Sequence, residues 1–375
     1  MKKISIFIIV ALLMTTICCT TASAAPEVEA PSALLMDQAT GTVLFEKNAD
    51  EKRAPASVTK VMTMLLIMEA LDGGKLTLET PIPVSAEAAG MGGSQVYLKE
   101  GETMTVDEML KCIAVVSAND CCVAMAEAIS GSTADFIAAM NEKAKALKMT
   151  NTHFNSCTGL DTEDHYTTAR DIAIMSRELM KHEQIRNYTT IWMDTVRNGA
   201  FSLSNTNKLV RFYQGATGLK TGFTDSAGYC LSATAEKDSL ALIAVILGGE
   251  TSDKRFEDAK TLLNFGFSQY GLYSQPLPNP AGVKVIKGLE DTVVPIPKNN
   301  PSFLIPKGKE EAITYEIKLP DSVAAPVEKG QRLGTVTYHL DGEKIGTIDL
   351  LAEKEIPKVT FSHLFFHIIR YFFVV

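Results

Sequence analysis

Hydrophobic residues recur at helical spacing through several long segments in the first two thirds of the chain. The clearest such segments run over residues 57–71, 106–129, 133–147 and 168–180, and Ser or Thr stands at the start of several of them as a candidate N-cap. The same spacing predicts a further helix over 252–270. A mainly helical cluster is therefore expected in this part of the protein.

Strand-like runs lie before and after the helical segments. Residues 34–37 and 43–46 flank a glycine turn at Gly41, and residues 228–235 and 240–247 flank a short polar turn. Short connections of this kind join antiparallel strands. The pattern predicts an α/β (α+β) domain over residues 25–272, with an antiparallel sheet and a helical cluster.

The pattern changes after Leu272. Prolines punctuate residues 275–280, and short alternating runs follow without a helical period, at 283–287, 313–319, 333–339 and 344–350. Several short strands at regular spacing predict a small all-β sandwich over residues 273–356. Because it carries no cluster of reactive side chains, we expect it to act as a spacer.

Both ends of the chain carry signals of location. Residues 1–24 have a basic start, a short apolar stretch and small residues before Ala25, which predicts a cleaved export signal. Residues 357–375 form the tail, and its strongly apolar run is 361–375, with His363, His367 and Arg370 on one helical face. This length is too short to span a membrane, so the pattern predicts an amphipathic helix lying in the membrane surface at the outer face of the cytoplasmic membrane.

Composition narrows the class of protein. The 375 residues are 46% hydrophobic and 21% charged, which excludes a disordered chain, and the net charge of −8 becomes more negative once Lys2 and Lys3 leave with the signal. Without a basic run, nucleic acid is not an expected partner. The five cysteines beyond the signal include no CxxC pair and are an odd number, so we predict free thiols in the core: Cys112, Cys121, Cys122, Cys157 and Cys230.

The six histidines do not indicate a familiar hydrolase. They form no HExxH motif, and the chain contains no GxSxG elbow, which disfavours a Ser-His-Asp triad and suggests no metal or cofactor. Lys60 could serve as the base instead, because a helix that begins at Ser57 would bring the lysine amine to the Ser57 hydroxyl. Taken alone, this Ser-x-x-Lys pattern is common by chance.

Two further motifs make the pattern specific. Ser117 and Asn119 lie in a helical region broken by small residues, and Lys220-Thr221-Gly222 precedes a predicted strand. The ordered set SxxK, SxN and KTG is the set found in penicillin-binding proteins and class A β-lactamases.

With these motifs, the chain resembles the serine-type D-alanyl-D-alanine carboxypeptidases, which are low-molecular-mass penicillin-binding proteins. The resemblance extends from Leu35 through the segments 53–60, 152–171 and 220–229 to the β domain and the tail. It implies removal of the terminal D-alanine from peptidoglycan pentapeptide stems, with β-lactams as covalent inhibitors and no cofactor.

The resemblance also implies residue roles. Ser57 would form the acyl-enzyme, Lys60 would be its general base, and Ser117 would relay a proton to the leaving group. Asn119 would hold Lys60 and the peptide amide. Lys220 would pin Ser117, Thr221 would bind the terminal carboxylate, and Gly222 would leave the strand edge bare for the substrate. Phe223 and Ser57 would supply the oxyanion N–H groups, and Arg255 would help bind the carboxylate. Thr158 stands where some members have histidine, so no deacylation role of that histidine transfers.

Three alternatives remain at this point, and one of them is a metal-dependent peptidase, which an undiminished rate in EDTA would exclude. A DD-endopeptidase or transpeptidase would use the same acyl-enzyme with a different substrate or acceptor. A non-catalytic wall-binding scaffold would keep the fold alone, although all five nominated catalytic side chains are present. A class A β-lactamase is disfavoured, because the Glu-x-x-Leu-Asn segment that would position its deacylating water is absent near Glu163.

Overall fold

The computed structural model describes residues 25–277, 280–363 and 365. The predicted signal at 1–24 and most of the predicted tail helix lie outside these residues. The described chain divides into two compact units. The first comprises residues up to 36 with 43–235 and 243–265, and the second comprises 37–42, 236–242 and the residues from 266 onward.

A five-stranded sheet is the framework of the unit that contains the candidate site residues. Its strands are β1 (Ser32–Asp37), β2 (Val43–Lys47), β7 (Ala216–Thr224), β8 (Gly228–Lys237) and β9 (Leu240–Gly249), in the order β2-β1-β9-β8-β7. The pairs β1–β2 and β7–β8 are antiparallel. The predicted hairpins are confirmed, and β7 stands at one end of the sheet order.

The helices follow the predicted segments closely. They are α1 (Lys60–Asp72), α2 (Ala86–Ala89), α3 (Val106–Val116), α4 (Asn119–Ser130), α5 (Thr133–Ala146), α6 (Ala169–Leu179), α7 (Arg186–Thr189), α8 (Leu209–Phe212) and α9 (Ser252–Gln269). Short strand pairs add β3 (Pro81–Pro83) with β4 (Thr103–Thr105), and β5 (Met193–Val196) with β6 (Phe201–Ser204).

Side-chain caps fix where several of these helices begin. Thr105 caps α3 in a capping box with Glu108, Ser132 caps α5, and Thr168 caps α6. α1 differs, because every residue from Lys60 to Met68 is buried. It is therefore the central helix of the cluster, surrounded by apolar side chains rather than facing water on one side.

Two sequence expectations are corrected. The segment 106–129 is two helices rather than one, because Ser117 adopts φ 64° and breaks the hydrogen-bond ladder between α3 and α4. The helix expected from Ser57 begins as a 3₁₀ turn over Ala56–Thr59 and becomes α-helical only at Lys60. Both departures lie at candidate catalytic serines.

The second unit is built from strands, as predicted. They are β10 (Tyr270–Tyr273), β11 (Val283–Ile286), β12 (Thr292–Val293), β13 (Pro295–Pro297), β14 (Phe303–Pro306), β15 (Ile313–Lys318), β16 (Ser322–Ala324), β17 (Arg332–Leu340) and β18 (Glu343–Ala352). They form sheets ordered β10-β14, β12-β11-β16 and β13-β18-β17-β15. Apolar side chains such as Val283, Val293, Val336 and Leu350 form its core.

Two further observations concern the cysteines and the longer helices. The five cysteines predicted to be free are free and buried, which confirms their assignment to the core. Among the described residues, no single helix is long and apolar enough to cross a membrane; α4 and α5 reach that length and composition only together, across a bend of 82°.

Candidate active site

The 3₁₀ turn places Ser57 beside Lys60. The Lys60 Nζ lies 2.9 Å from the Ser57 Oγ, and it also donates a hydrogen bond of 2.7 Å to the Thr158 carbonyl oxygen. Both groups belong to one turn of chain, so the sequence spacing produces the expected contact. The Thr158 carbonyl comes from a distant loop and fixes the direction of the amine.

Burial gives Lys60 the properties of a base. Its side chain is fully buried, and loss of hydration lowers its pKa, opposed in part by the neighbouring groups of Cys122, Cys157 and Asp120. A lysine of lowered pKa is more readily neutral, and only the neutral amine has a lone pair that can accept a proton. The arrangement can therefore activate the Ser57 hydroxyl.

The break between α3 and α4 leaves two buried polar side-chain atoms without partners in the described part of the chain. The Ser117 Oγ and the Asn119 Oδ1 are buried and have no hydrogen-bond partner among the described residues. Buried polar groups rarely lack a hydrogen-bond partner. Two such atoms without partners are therefore suited to bind an incoming ligand. The left-handed φ of Ser117 costs of order 1–3 kcal/mol and marks a locally strained backbone.

The expected contact between Asn119 and Lys60 is not formed. The Asn119 Nδ2 instead donates a hydrogen bond of 2.8 Å to the Gly92 carbonyl oxygen, and its backbone N–H bonds to Ser94. The amide nitrogen is occupied by the loop that precedes β4. Asn119 thus ties this loop to α4 and leaves its side-chain carbonyl oxygen without a partner among the described residues.

Lys220 lies in the same buried region but does not bond to Ser117. Its Nζ donates to the Thr221 carbonyl oxygen at 2.9 Å, and the side chain is 1% exposed. Burial lowers its pKa well below the usual value, and the nearby charge of Lys60 lowers it further. The predicted hold of Lys220 on Ser117 is electrostatic, and no direct hydrogen bond joins the two, since the Ser117 Oγ has no partner among the described residues.

The structure shows a reason for glycine at position 222 that the sequence did not indicate. A Cβ there would lie 2.9 Å from the Pro55 carbonyl oxygen and 3.0 Å from the Ser57 nitrogen. The glycine therefore lets β7 approach the nucleophile turn closely. Beside it, Phe223 is exposed and packs on Tyr229, with 4.4 Å between ring centroids.

Thr221 and Arg255 are both buried, and both have hydrogen-bond partners that the sequence did not predict. The Thr221 Oγ1 lies 2.6 Å from the Thr206 Oγ1, which was not predicted as a partner. Arg255 does not offer its guanidinium at the surface. Its Nη1 donates to the carbonyl oxygens of Gly222 at 2.8 Å and Cys230 at 3.2 Å, and burial lowers its pKa to about 10. The arginine supports β7 and β8 from within.

The loop over 155–165 contacts the turn that carries Ser57. The sequence marked this segment through its family resemblance but did not indicate these contacts. The Thr158 carbonyl of the loop holds Lys60, and Gly159 lies against the nucleophile turn at φ 81°. His165 reaches the same turn, with its Nε2 2.8 Å from the Thr59 Oγ1. These contacts join residues far apart in sequence, so motif spacing gave no signal of them; the glycine before Leu160-Asp161 was the one visible sign.

Replacing Gly159 by alanine is expected to destabilise the protein by about 3 kcal/mol or more and to slow acylation. An added Cβ would lie 1.9 Å from the Ala56 carbonyl oxygen, so the loop or the nucleophile turn must move. Gly101→Ala is the matched control, because Gly101 has φ 77° but open space around its Cα. Thermal unfolding of both variants measures the difference; equal losses would show that the backbone conformation, and not the contact, sets the effect.

The fold and this arrangement of Ser57 with a buried lysine define a serine hydrolase of the penicillin-binding-protein type. The model of the D-alanyl-D-alanine carboxypeptidase family matches residues 19–251, and that of the penicillin-binding protein 5 C-terminal domain matches residues 276–358. The chain belongs to the D-alanyl-D-alanine carboxypeptidase family and is a serine-type D-Ala-D-Ala carboxypeptidase.

Individual relatives agree over most of the chain. The D-alanyl-D-alanine carboxypeptidase DacF of Bacillus subtilis is 45% identical over 339 residues, which are 89% of this chain and 87% of the relative. The crystal structure of penicillin-binding protein 5 from Haemophilus influenzae superposes with a TM-score of 0.76 at 29% identity, covering 90% of this chain and all of that one. Penicillin-binding protein D2 of Listeria monocytogenes, in its ampicillin-bound form, matches 65% of this chain and all of its own with a TM-score of 0.60 and 32% identity.

Proposed function

We propose that this carboxypeptidase removes the terminal D-alanine from peptidoglycan pentapeptide stems through an acyl-enzyme on Ser57. The observation that carries the proposal is the buried Lys60 amine 2.9 Å from the Ser57 hydroxyl, with a pKa lowered by burial. A base within hydrogen-bond reach of a hydroxyl is what nucleophilic catalysis by serine requires.

The proposed reaction has two stages. In the first, Lys60 takes the Ser57 proton as the Oγ attacks the carbonyl carbon of the penultimate D-alanine, and the backbone N–H groups of Ser57 and Phe223 receive the oxyanion. The C–N bond then breaks, and the proton returns through the Ser117 hydroxyl to the departing amine. In the second stage, water attacks the carbonyl carbon of the ester. One proton of the water passes through Lys60 to the Ser57 oxygen, and the shortened peptide is released.

Charge and hydrogen bonding at β7 would select a free carboxylate. Lys220 and Thr221 lie next to each other on this strand, and Thr221 would bind the substrate's terminal carboxylate. Arg255 would act from beneath, because its hydrogen bonds to the Gly222 and Cys230 carbonyls hold the main chain that receives the substrate. A buried guanidinium also adds positive potential that favours an anion nearby.

We further propose that β-lactams acylate Ser57. A β-lactam carbonyl would be attacked as the D-alanine carbonyl is, and the ring nitrogen would be the leaving group. Penicillin-binding protein D2 of Listeria monocytogenes, which matches 65% of this chain, has been crystallised in ampicillin-bound and cefotaxime-bound forms.

The proposed location is the outer face of the cytoplasmic membrane. Residues 1–24 would direct export, residues 25–272 would form the catalytic domain, residues 273–356 the spacer, and residues 357–375 the anchor in the membrane surface. Two aromatic rings at the described start of the tail support this, because Phe361 is 82% and Phe365 51% exposed and the rings stack 6.2 Å apart. Exposed aromatic rings of this kind suit the boundary between lipid and water.

The experiment incubates the purified protein with a pentapeptide ending in D-Ala-D-Ala and measures released D-alanine. Release is expected, and it should stop after treatment with penicillin and when the peptide carries a C-terminal amide in place of the carboxylate. Penicillin labelling without D-alanine release would instead favour the DD-endopeptidase or transpeptidase, which a cross-linked dimer or an amine acceptor would then identify. Neither labelling nor release would favour a non-catalytic scaffold.

A further inference from the structure

His165 is a buried histidine to which the reaction above gives no role. Its side chain is 7% exposed, and both ring nitrogens have partners. The Nδ1 accepts a hydrogen bond of 2.9 Å from the Asn155 backbone N–H, and the Nε2 lies 2.8 Å from the Thr59 Oγ1. One ring therefore joins the two ends of the 155–165 loop to the 3₁₀ turn that carries Ser57.

The partners determine the tautomer. A backbone N–H can only donate, so the Nδ1 facing Asn155 must carry the lone pair, and in a neutral ring the hydrogen is then on Nε2. The Thr59 hydroxyl donates its own hydrogen to the Ala56 carbonyl oxygen at 2.8 Å, which leaves its oxygen to accept from His165. The hydrogen bonds thus run in one direction, from Asn155 through His165 and Thr59 to Ala56.

The environment keeps this ring neutral. Burial, with a smaller contribution from the neighbouring His153, lowers the pKa of His165 to about 4, and Asp161 on the same loop opposes the shift. A protonated ring would have a hydrogen on both nitrogens and would face the Asn155 N–H with another donor. The neutral state is therefore the one that supports the connection at physiological pH.

The chain of bonds ends next to the nucleophile. Ala56 directly precedes Ser57 and has φ 48°, a conformation that non-glycine residues seldom adopt and that surrounding contacts must hold. The same loop supplies Thr158, whose carbonyl oxygen is 2.7 Å from the Lys60 Nζ. Through Thr59 and Asn155, His165 thus connects the turn that carries the nucleophile to the loop that directs the Lys60 amine.

We infer that His165 is a positioning residue for acylation, which holds the Ser57 turn and the 155–165 loop in register through Thr59 and Asn155. It touches neither the substrate nor Ser57. Its expected contribution is therefore to the rate of the chemical step and not to the binding that precedes it, because a displacement of the reacting groups by about 1 Å can cost about 10²-fold in rate. The inference rests on the proposed acyl-enzyme at Ser57.

The test measures acylation of the full-length protein by a fluorescent penicillin over a range of concentrations. The time courses give three quantities: the dissociation constant of the first complex, the first-order acylation rate constant, and the final labelled fraction. His165→Phe keeps a ring but removes both hydrogen bonds, and we expect the rate constant to fall about 10- to 100-fold with little change in the dissociation constant. His165→Gln retains an N–H that can reach Thr59 and should recover most of the rate.

Two further variants complete the design. Thr59→Val removes the hydroxyl from the other end of the same bond and should slow acylation as His165→Phe does, with the double variant no slower than the slower single variant. His182→Phe is the control, because the His182 ring bonds to the Asp72 carboxylate at the end of α1 rather than to the nucleophile turn or the 155–165 loop. It should acylate at the parental rate constant.

The outcomes separate positioning from folding. A purely structural role would lower the labelled fraction while the folded molecules react at the parental rate constant, and that result would overturn the inference. It would also be overturned if His165→Gln were as slow as His165→Phe. Should His165→Phe fail to fold, a parental rate constant in Thr59→Val would overturn it. A parent that is not labelled would overturn the proposed acyl-enzyme itself.

Discussion

Replacing Ser57 by alanine is expected to abolish D-alanine release and penicillin labelling, with a loss of at least about 10⁴-fold in kcat. The hydroxyl is the only proposed site of the covalent bond, and alanine leaves the Lys60 amine without a proton to take. The substitution removes one oxygen from a half-buried position in a 3₁₀ turn. The fold should therefore remain, and thermal unfolding should stay close to that of the parent.

The matched control is Ser204→Ala. Ser204 is an exposed serine in β6 that belongs to none of the motifs, and it should retain parental activity. Both variants are assayed for D-alanine release and for covalent labelling by mass. Labelling of Ser57→Ala at the parental rate would place the acyl-enzyme on another residue, and the site described above would have to be abandoned as the catalytic one.

Replacing Lys60 by methionine is expected to slow acylation about 10³-fold, within the range that general bases contribute. Methionine has a similar length and suits a buried position, so the change removes the amine without opening a large cavity. It leaves the Ser57 hydroxyl without its base and the Thr158 carbonyl oxygen without its donor. The effect should fall on the acylation rate constant.

The pH dependence identifies this role more sharply than the rate alone. The active form of Lys60 is the neutral amine, so acylation of the parent should rise with pH as Lys60 loses its proton and level off above its pKa. Burial lowers that pKa, so the rise should lie at lower pH than for an exposed lysine. The rise should be absent in Lys60→Met and unchanged in the control Lys99→Met, which alters an exposed lysine; a rise that persists in Lys60→Met would assign it to a different group.

Local pattern was sufficient for most of the secondary structure. The spacing of apolar residues predicted the helix Thr133–Ala146 to within one residue, and Thr168 was visible as a candidate cap because capping uses residues three positions apart. The break at Ser117 was visible only as a run of small residues. Its left-handed conformation depends on how α3 and α4 pack, and periodicity carries no information on that.

The same limit applies to the site. Ser57 and Lys60 meet because they are three residues apart on one turn, so their contact could be predicted. Arg255 was expected to help bind the substrate carboxylate, and nothing in the sequence indicated that its guanidinium donates to the Gly222 carbonyl 33 positions away. A sequence motif specifies which side chains are available, and it does not specify which way a side chain points once helix and sheet have packed.

The sequence by itself therefore determined the family, the two kinds of domain, the starts of the capped helices and the identity of the motif residues, because these follow from spacing and from recurring short patterns. Only the tertiary structure decided how those residues are held. The contact between His165 and Thr59 spans 106 positions, and the one between Lys60 and Thr158 spans 98. Contacts of that separation arise from the packing of whole elements, and it is packing that excludes water from Lys60 and so gives an ordinary lysine the chemistry of a base.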